Sequence, residues 1–274
     1  MERKNVIITA RRDTSNVSMR NHYHNAHEMI FVCSGEIEIT VNRTVYTAKR
    51  GSLIFISNHE HHSVRVVSEP YERFFIIIDP MAADRIINNP ILMSILKNRP
   101  GNFAHCVDVS GNMNEFLSLF ERICGESGDN DPLSDELVGC FLKEMLIMVL
   151  RGDKEAFPVV RDTVKNEIYE IQRYIDHHFE ENILISELAG KYYISVYHLS
   201  RSFKKQTGYG PKRYLTMARL SHARELLVIT DCAVGDIADK CRFNDVNNFI
   251  RVFRREFGIT PGQYRVAFAC ERRS

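Results

Sequence analysis

The chain has 274 residues, 44% of them hydrophobic, which suits two domains with a core each and excludes a low-complexity polymer. Its net charge of +1 hides an asymmetry: residues 1–160 carry 17 Lys+Arg against 21 Asp+Glu, net −4, and residues 161–274 carry 19 against 14, net +5, which sum to +1. Seven cysteines without paired spacing argue against a disulfide framework, and neither the charged Met1–Arg12 segment nor any later run has the apolar length of a secretory core or membrane span, so a cytoplasmic protein with no membrane partner is expected.

From about residue 28, apolar and polar residues alternate in short runs: Met29–Val32, Glu36–Val41, Ser52–Ile56, Ser63–Val67 and Phe74–Ile78. Gly35, Asn42 and Gly51 are expected at the turns, which gives a small antiparallel barrel over residues 1–80. Against that background stand His22, His24, Glu28 and, after six intervening residues, Gly35; Gly51 then leads to His59, His61 and His62. This spacing resembles the two motifs of cupin domains, in which His22, His24, Glu28 and His62 match the metal-ligand positions. Ser57 and His59 stand where the second motif has proline and glycine. The resemblance implies a jelly-roll barrel.

Two histidines at i and i+2 of a strand point to one side, and a glutamate four residues later joins them there. With a histidine from the neighbouring strand they make three nitrogens and one oxygen, a donor set for Fe, Mn, Ni or Zn. The same groups serve equally to hydrogen-bond an organic effector or to order a loop. His27, His59 and His61 are expected to be solvent-facing neighbours.

Residues 81–151 read as helical. Ile86, Ile87, Leu92, Ile95 and Leu96 are followed by Phe116, Leu117, Leu119, Phe120 and Ile123, then by Leu137, Val138, Phe141, Leu142, Met145, Leu146 and Val149 in steps of three and four. These helices are expected to pack on the barrel or to pair two subunits. Gly125–Pro132 reads as a break, and residues 152–164, charged and interrupted by Pro158, as an interdomain linker.

Residues 165–274 repeat one helical pattern. Leu188-Ala189, Ser195, Leu199, Phe203-Lys204-Lys205 and Gly208 return as Ile237-Ala238, Asn244, Phe249, Phe253-Arg254-Arg255 and Gly258. Each copy runs short helix, turn, longer helix, the grammar of a helix-turn-helix. Ser195 and Asn244 are expected as N-caps and the two glycines as left-handed C-caps. Because Ser195 to Leu199 is four residues and Asn244 to Phe249 five, the second long helix is expected to present a slightly different face. Pro211 opens a connecting helix with the apolar stripe Leu215, Ala218, Leu220, Ala223, Leu226 and Leu227; Ile168, Ile171, Ile175 and Phe179 mark a helix upstream, and Thr260-Pro261 a last short one carrying Tyr264.

On these residues, together with Leu199-Ser200-Arg201, Ala218-Arg219-Leu220, Phe243, Arg251 and Tyr264-Arg265, the segment from Ile183 to Arg265 resembles the DNA-binding domain of AraC/XylS-type transcription regulators. The family has a glycine just ahead of the aromatic Phe243, where this chain has Cys241-Arg242. The resemblance implies double-stranded DNA as partner. Once core positions are removed, Ser195, Tyr197, His198, Ser200, Arg201, Lys204 and Lys205 remain on the first recognition helix, and Asn244, Val246, Asn247, Asn248, Arg251 and Arg254 on the second. Arg201 suits guanine, asparagines suit adenine, and Tyr197 suits an apolar or phosphate contact.

The expected protein is therefore a mixed two-domain, ligand-responsive regulator and not an enzyme. A cupin-like barrel binds a small molecule, preferably a sugar, at His22, His24, Glu28 and His62, and a double helix-turn-helix binds DNA. A homodimer, contact with RNA polymerase and activation are what the family resemblance implies. The competing reading is a metal-dependent cupin enzyme or metal sensor fused to a DNA-binding module.

Overall fold

The computed structural model describes residues 8–97, 103–127, 131, 133–152 and 167–268. The chain divides into two compact units, Met1–Asn166 and Glu167–Ser274. Of the expected linker at 152–164, all but Gly152 lies outside the described residues.

The first unit is a seven-stranded antiparallel sheet: β1 (Ile8–Asp13), β2 (Met19–His22), β3 (His27–Val41), β4 (Thr44–Lys49), β5 (Ser52–Ile56), β6 (His62–Ile78) and β7 (Cys106–Asp108). The main order is β1-β6-β3-β5-β7, with β2 on β6 and β4 on β3. Four of the five expected short strands are therefore halves of two long ones, β3 and β6. Gly35 was expected at a turn but lies inside β3, left-handed at φ 77°, where the register against β6 shifts repeatedly between Val32 and Ile37. A Cβ there would come within 2.7 Å of the Ser68 carbonyl and 2.8 Å of that of Pro70, so only glycine fits.

This bulge reverses which residues face inward. Before it Ile30 and Val32 enter the inner cluster; after it Ile37, Ile39 and Val41 do. Strand β6 makes the same change, from Val64 to Tyr71. An odd-numbered shift moves a strand's apolar set to the opposite face, and the local bend lets the sheet curl so that both halves line one core. That inner core also receives Ala48, Ile54 and Ile56.

The outer face of the first half, Met29, Phe31, Leu53, Phe55, Phe74, Ile76 and Ile78, is covered by helices. These are α1 (Pro80–Ile87), α2 (Pro90–Met93), α3 (Met113–Glu126) and α4 (Ser134–Gly152). Asp79 caps α1 by accepting from the Met81 and Ala82 amides, and Phe120 of α3 stacks on Phe31 at 5.2 Å between ring centroids. All the expected residues of α4 from Val138 to Val149 are buried, whereas Leu137 faces out, 42% exposed.

The second unit holds seven helices among the described residues: α5 (Glu167–His178), α6 (Ile185–Lys191), α7 (Val196–Thr207), α8 (Pro211–Ile229), α9 (Val234–Lys240), α10 (Val246–Phe257) and α11 (Pro261–Ala267). They form two separate apolar cores. One joins α5, α6 and α7 to Tyr214 and Leu215 at the start of α8; the other joins α9 and α10 to Leu220, Ala223 and Leu227 farther along it.

Helices α7 and α10 both end on a left-handed glycine, Gly208 at φ 82° and Gly258 at φ 79°. Ser195 caps α7 by accepting from the His198 amide. The cap of α10 is Asp245, which accepts from Asn247 and Asn248, and not Asn244. Asp245 stands four residues before Phe249, as Ser195 stands four before Leu199, so the long helices correspond in register and no face is rotated. The extra residue belongs to the turn ahead of the cap.

Candidate effector site and nucleic-acid interface

In the first unit, Glu28 follows the inward parity of Ile30, and His62 that of Val64. His22 pairs directly with His62 across β2 and β6. The three histidines His22, His24 and His62 offer ring nitrogens that all lie within 4.8 Å of one another. Oε2 of Glu28 lies 3.1 Å from Nε2 of His24 and 3.3 Å from Nε2 of His62. The four residues singled out by spacing thus come together at one end of the inner core.

Each imidazole is oriented by the backbone. Nδ1 of His22 lies 2.8 Å from the Arg20 carbonyl, that of His24 3.1 Å from Ala26, and that of His62 2.9 Å from Glu60. A carbonyl can only accept, so each Nδ1 donates to it, and the Nε2 atoms are left to face the cluster, where those of His24 and His62 meet Oε2 of Glu28. Burial, with the neighbouring charge of His62, lowers His22 to about 4 and keeps it neutral. Burial alone would raise Glu28, but its hydrogen bonds to His24 and His62 outweigh this and hold it well below the usual carboxylate range. The bond to Glu28 likewise overcomes burial at His62 and raises it.

Two of the histidines expected to face solvent do not. His27 and His59 are fully buried. Nδ1 of His27 accepts from the Asn58 amide, and the His59 amide donates to the His24 carbonyl, tying the loop before β6 to the connection between β2 and β3 that carries His24. The His22, His24, Glu28 set, expected on one strand, therefore does not lie on one. His59 is left-handed at φ 63°, which accounts for the glycine of the cupin motif at this position.

Sequence reasoning missed the support behind His62. Glu60, whose carbonyl orients His62, accepts at Oε1 from Nε2 of His105, and Nδ1 of His105 lies 3.1 Å from the Tyr46 hydroxyl. No local pattern links His105 to this cluster, because it arrives 45 residues later in the chain.

In the second unit, α7 exposes Tyr197, His198, Arg201, Lys204 and Lys205, with Ser195 exposed at its cap and Ser200 half-buried against the start of α8. Helix α10 exposes Asn247, Arg251 and Arg254, with Val246 and Asn248 half-buried and Asn244 exposed ahead of the cap. The guanidinium of Arg251 donates to Oδ1 of Asn248 at 2.8 Å. A groove along α10 is lined by Asn247, Arg251, Arg254, Arg255 and Thr260. Arg255, equivalent to Lys205 and equally exposed, was not among the expected contact residues.

A curled sheet carrying a polar cluster, followed by two helix-turn-helix modules on a shared helix, defines a ligand-controlled DNA-binding regulator. A model described as "AraC-like ligand binding domain" matches residues 5–140, and one described as "Helix-turn-helix domain" matches residues 188–267. The chain belongs to the AraC family of transcription regulators. It is 28% identical over 246 residues to the transcriptional activator RhaS of Klebsiella pneumoniae, spanning 89% of this chain and 86% of that protein. To RhaS of Yersinia pestis it is 26% identical over 261 residues, 95% and 93% of the two chains. The structure of ToxT from Vibrio cholerae superposes with a TM-score of 0.63 at 16% identity, covering 94% of this chain and 97% of that one, a likeness of fold. No described helix is long and apolar enough to cross a membrane.

The cluster makes a direct spectroscopic prediction. In an NMR titration of histidine ring protons, His22 should protonate near 4 and His62 above the ordinary value of 6.5. Glu28→Gln removes the anion that favours the imidazolium, so it should lower the His62 midpoint; a midpoint unchanged by that substitution contradicts the assigned coupling.

Proposed function

We propose that this protein is a cytoplasmic, sugar-responsive transcription activator whose effector is held at His22, His24, Glu28 and His62. The observation that supports this most is the convergence of three backbone-oriented imidazoles and one carboxylate beside the inner apolar core of the sheet. Hydroxyl groups both donate and accept, so a polyol complements Nε2 of His22 and the Glu28 carboxylate together, beside the ion pairs that Glu28 makes with His24 and His62. One ToxT structure carries a bound unsaturated fatty acid. An alkyl chain offers these polar groups no hydrogen bond, so a hydroxylated ligand fits this chain better. Its effect on transcription is bounded by its differential affinity for two conformations of the protein.

The same donor set fits a divalent transition metal, with three Nε2 atoms and Glu28 as ligands. Such an ion would supply positive charge for an effector oxygen. Thermal-shift measurements distinguish the two, because a ligand that binds only the folded chain raises its apparent stability. Sugars should stabilise the metal-free protein, and His24→Ala should abolish that shift while leaving basal DNA affinity unchanged. Stabilisation by Zn²⁺ or Ni²⁺ alone, lost in His24→Ala, would replace the sugar reading with a metal sensor.

On the DNA side, we infer that α7 and α10 enter successive major-groove segments on one face of the duplex, about 34 Å apart. Arg201 and Arg251 read bases, with Tyr197, Asn247 and Asn248 beside them; Ser195, His198, Ser200, Lys204, Lys205, Asn244, Val246, Arg254 and Arg255 position the helices on sugar and phosphate. RNA polymerase is the further partner an activator requires. A second copy of the chain fits the stripe Leu137, Cys140 and Ile147, exposed on one face of α4.

Binding-site selection with variants tests the DNA reading. Arg201→Ala and Arg251→Ala should each cost about 1 to 3 kcal/mol and relax preference at different base pairs, about one turn apart. Lys204→Ala should weaken all sites evenly and reduce the salt dependence. Loss of preference at the same base pairs in both arginine variants contradicts two independent readers.

A further inference from the structure

The two helix-turn-helix modules share helix α8 but no apolar core. What holds one against the other, besides α8 itself, is a set of polar links. Arg213 of α8 pairs with Glu256 at the end of α10, 2.6 Å from both carboxylate oxygens. Arg219 of α8 donates to the carbonyls of Phe179 and Glu181, just after α5. Between those two, the Glu180 carbonyl accepts from Nε of Arg242 at 2.6 Å. Arg242 lies in the turn of the second module, and its own carbonyl accepts from Arg219 at 3.4 Å. Three successive carbonyls of the first module are thus gripped by two arginines, one of which belongs to the turn that aims α10.

Arg242 is also left-handed, at φ 57°. A side chain in that conformation costs about 1 kcal/mol relative to glycine, so replacing Arg242 by glycine removes its cross-module bond without adding strain. The matching residue of the first module, Tyr193, is equally left-handed at φ 56°, yet its side chain is 97% exposed. The two turns have the same backbone and opposite uses: one side chain projects into solvent, the other crosses to the partner module.

We propose that Arg242 is the positioning residue that fixes the phase of α10 relative to α7, and so sets the spacing between the two DNA segments that the protein accepts. This rests on the two-helix reading of DNA. Inserting one base pair between the segments moves the second by about 3.4 Å and turns it by about 34°. A reader with locked modules loses affinity sharply; one without the Arg242 link, its second turn held only through α8, Arg213 and Arg219, is freer to follow the displaced segment.

The test uses the full chain and a site selected with the wild-type protein, together with versions carrying one base pair more or fewer between the two segments. The wild type should lose about tenfold or more on either altered spacing, the cost of a misplaced group of base contacts. Arg242→Gly keeps the turn geometry at no steric cost. It should bind the selected site within about threefold of the wild type and lose less than about threefold on the altered spacings. Tyr193→Gly should keep the full wild-type penalty. A wild-type penalty in Arg242→Gly, or its loss in Tyr193→Gly as well, overturns the role assigned to Arg242. A selected site with only one specific segment overturns the two-helix reading and this inference with it.

Discussion

Helix α8 is the constraint on which the DNA-binding unit depends. Tyr214 and Leu215 complete the first apolar core, and Leu220, Ala223 and Leu227 complete the second, so neither module closes without it. Burying such side chains is worth about 1.5 to 3 kcal/mol each, enough to make α8 integral to both modules. One helix of 19 residues then joins the two long helices, and the polar links from Arg213, Arg219 and Arg242 hold their relative phase. On the proposed two-helix reading of DNA, specificity over a long site would follow from this covalent and packed connection.

In the first unit the corresponding constraint is the bulge at Gly35. By reversing the inward parity of β3 it lets two halves of one strand line the same interior. The inward parity of the first half, Met29 out and Ile30 in, also turns Glu28 toward His24 and His62. The site is therefore a consequence of how the sheet curls. Its imidazoles are fixed through Nδ1 by backbone carbonyls, which makes the cluster preorganised for whatever Nε2 meets.

Much of this was legible in the sequence because the signals were local. The glycines 208 and 258, and Pro211 and Pro261, each dictate a conformation within a few residues, and the His22, His24, Glu28 spacing marks residues that converge although they fall on β2, its connection to β3, and β3. The rest depends on partners distant in the chain. Gly35 reads as a turn until the Ser68 and Pro70 carbonyls are seen against it. His59 reads as an exposed loop residue until its amide is found on His24. Asn244 and Asp245 are both good cap residues, and only the helix geometry chooses Asp245. The Glu60, His105, Tyr46 chain and the crossing of Arg242 to Glu180 join segments that share no periodicity.

A hydroxyl-radical footprint of the full-length protein on its selected DNA site tests most directly whether one chain presents two readers to one side of the duplex. The account predicts two protected patches on the same face, separated by about one helical turn of 10 to 10.5 base pairs. A single protected patch per chain would contradict it.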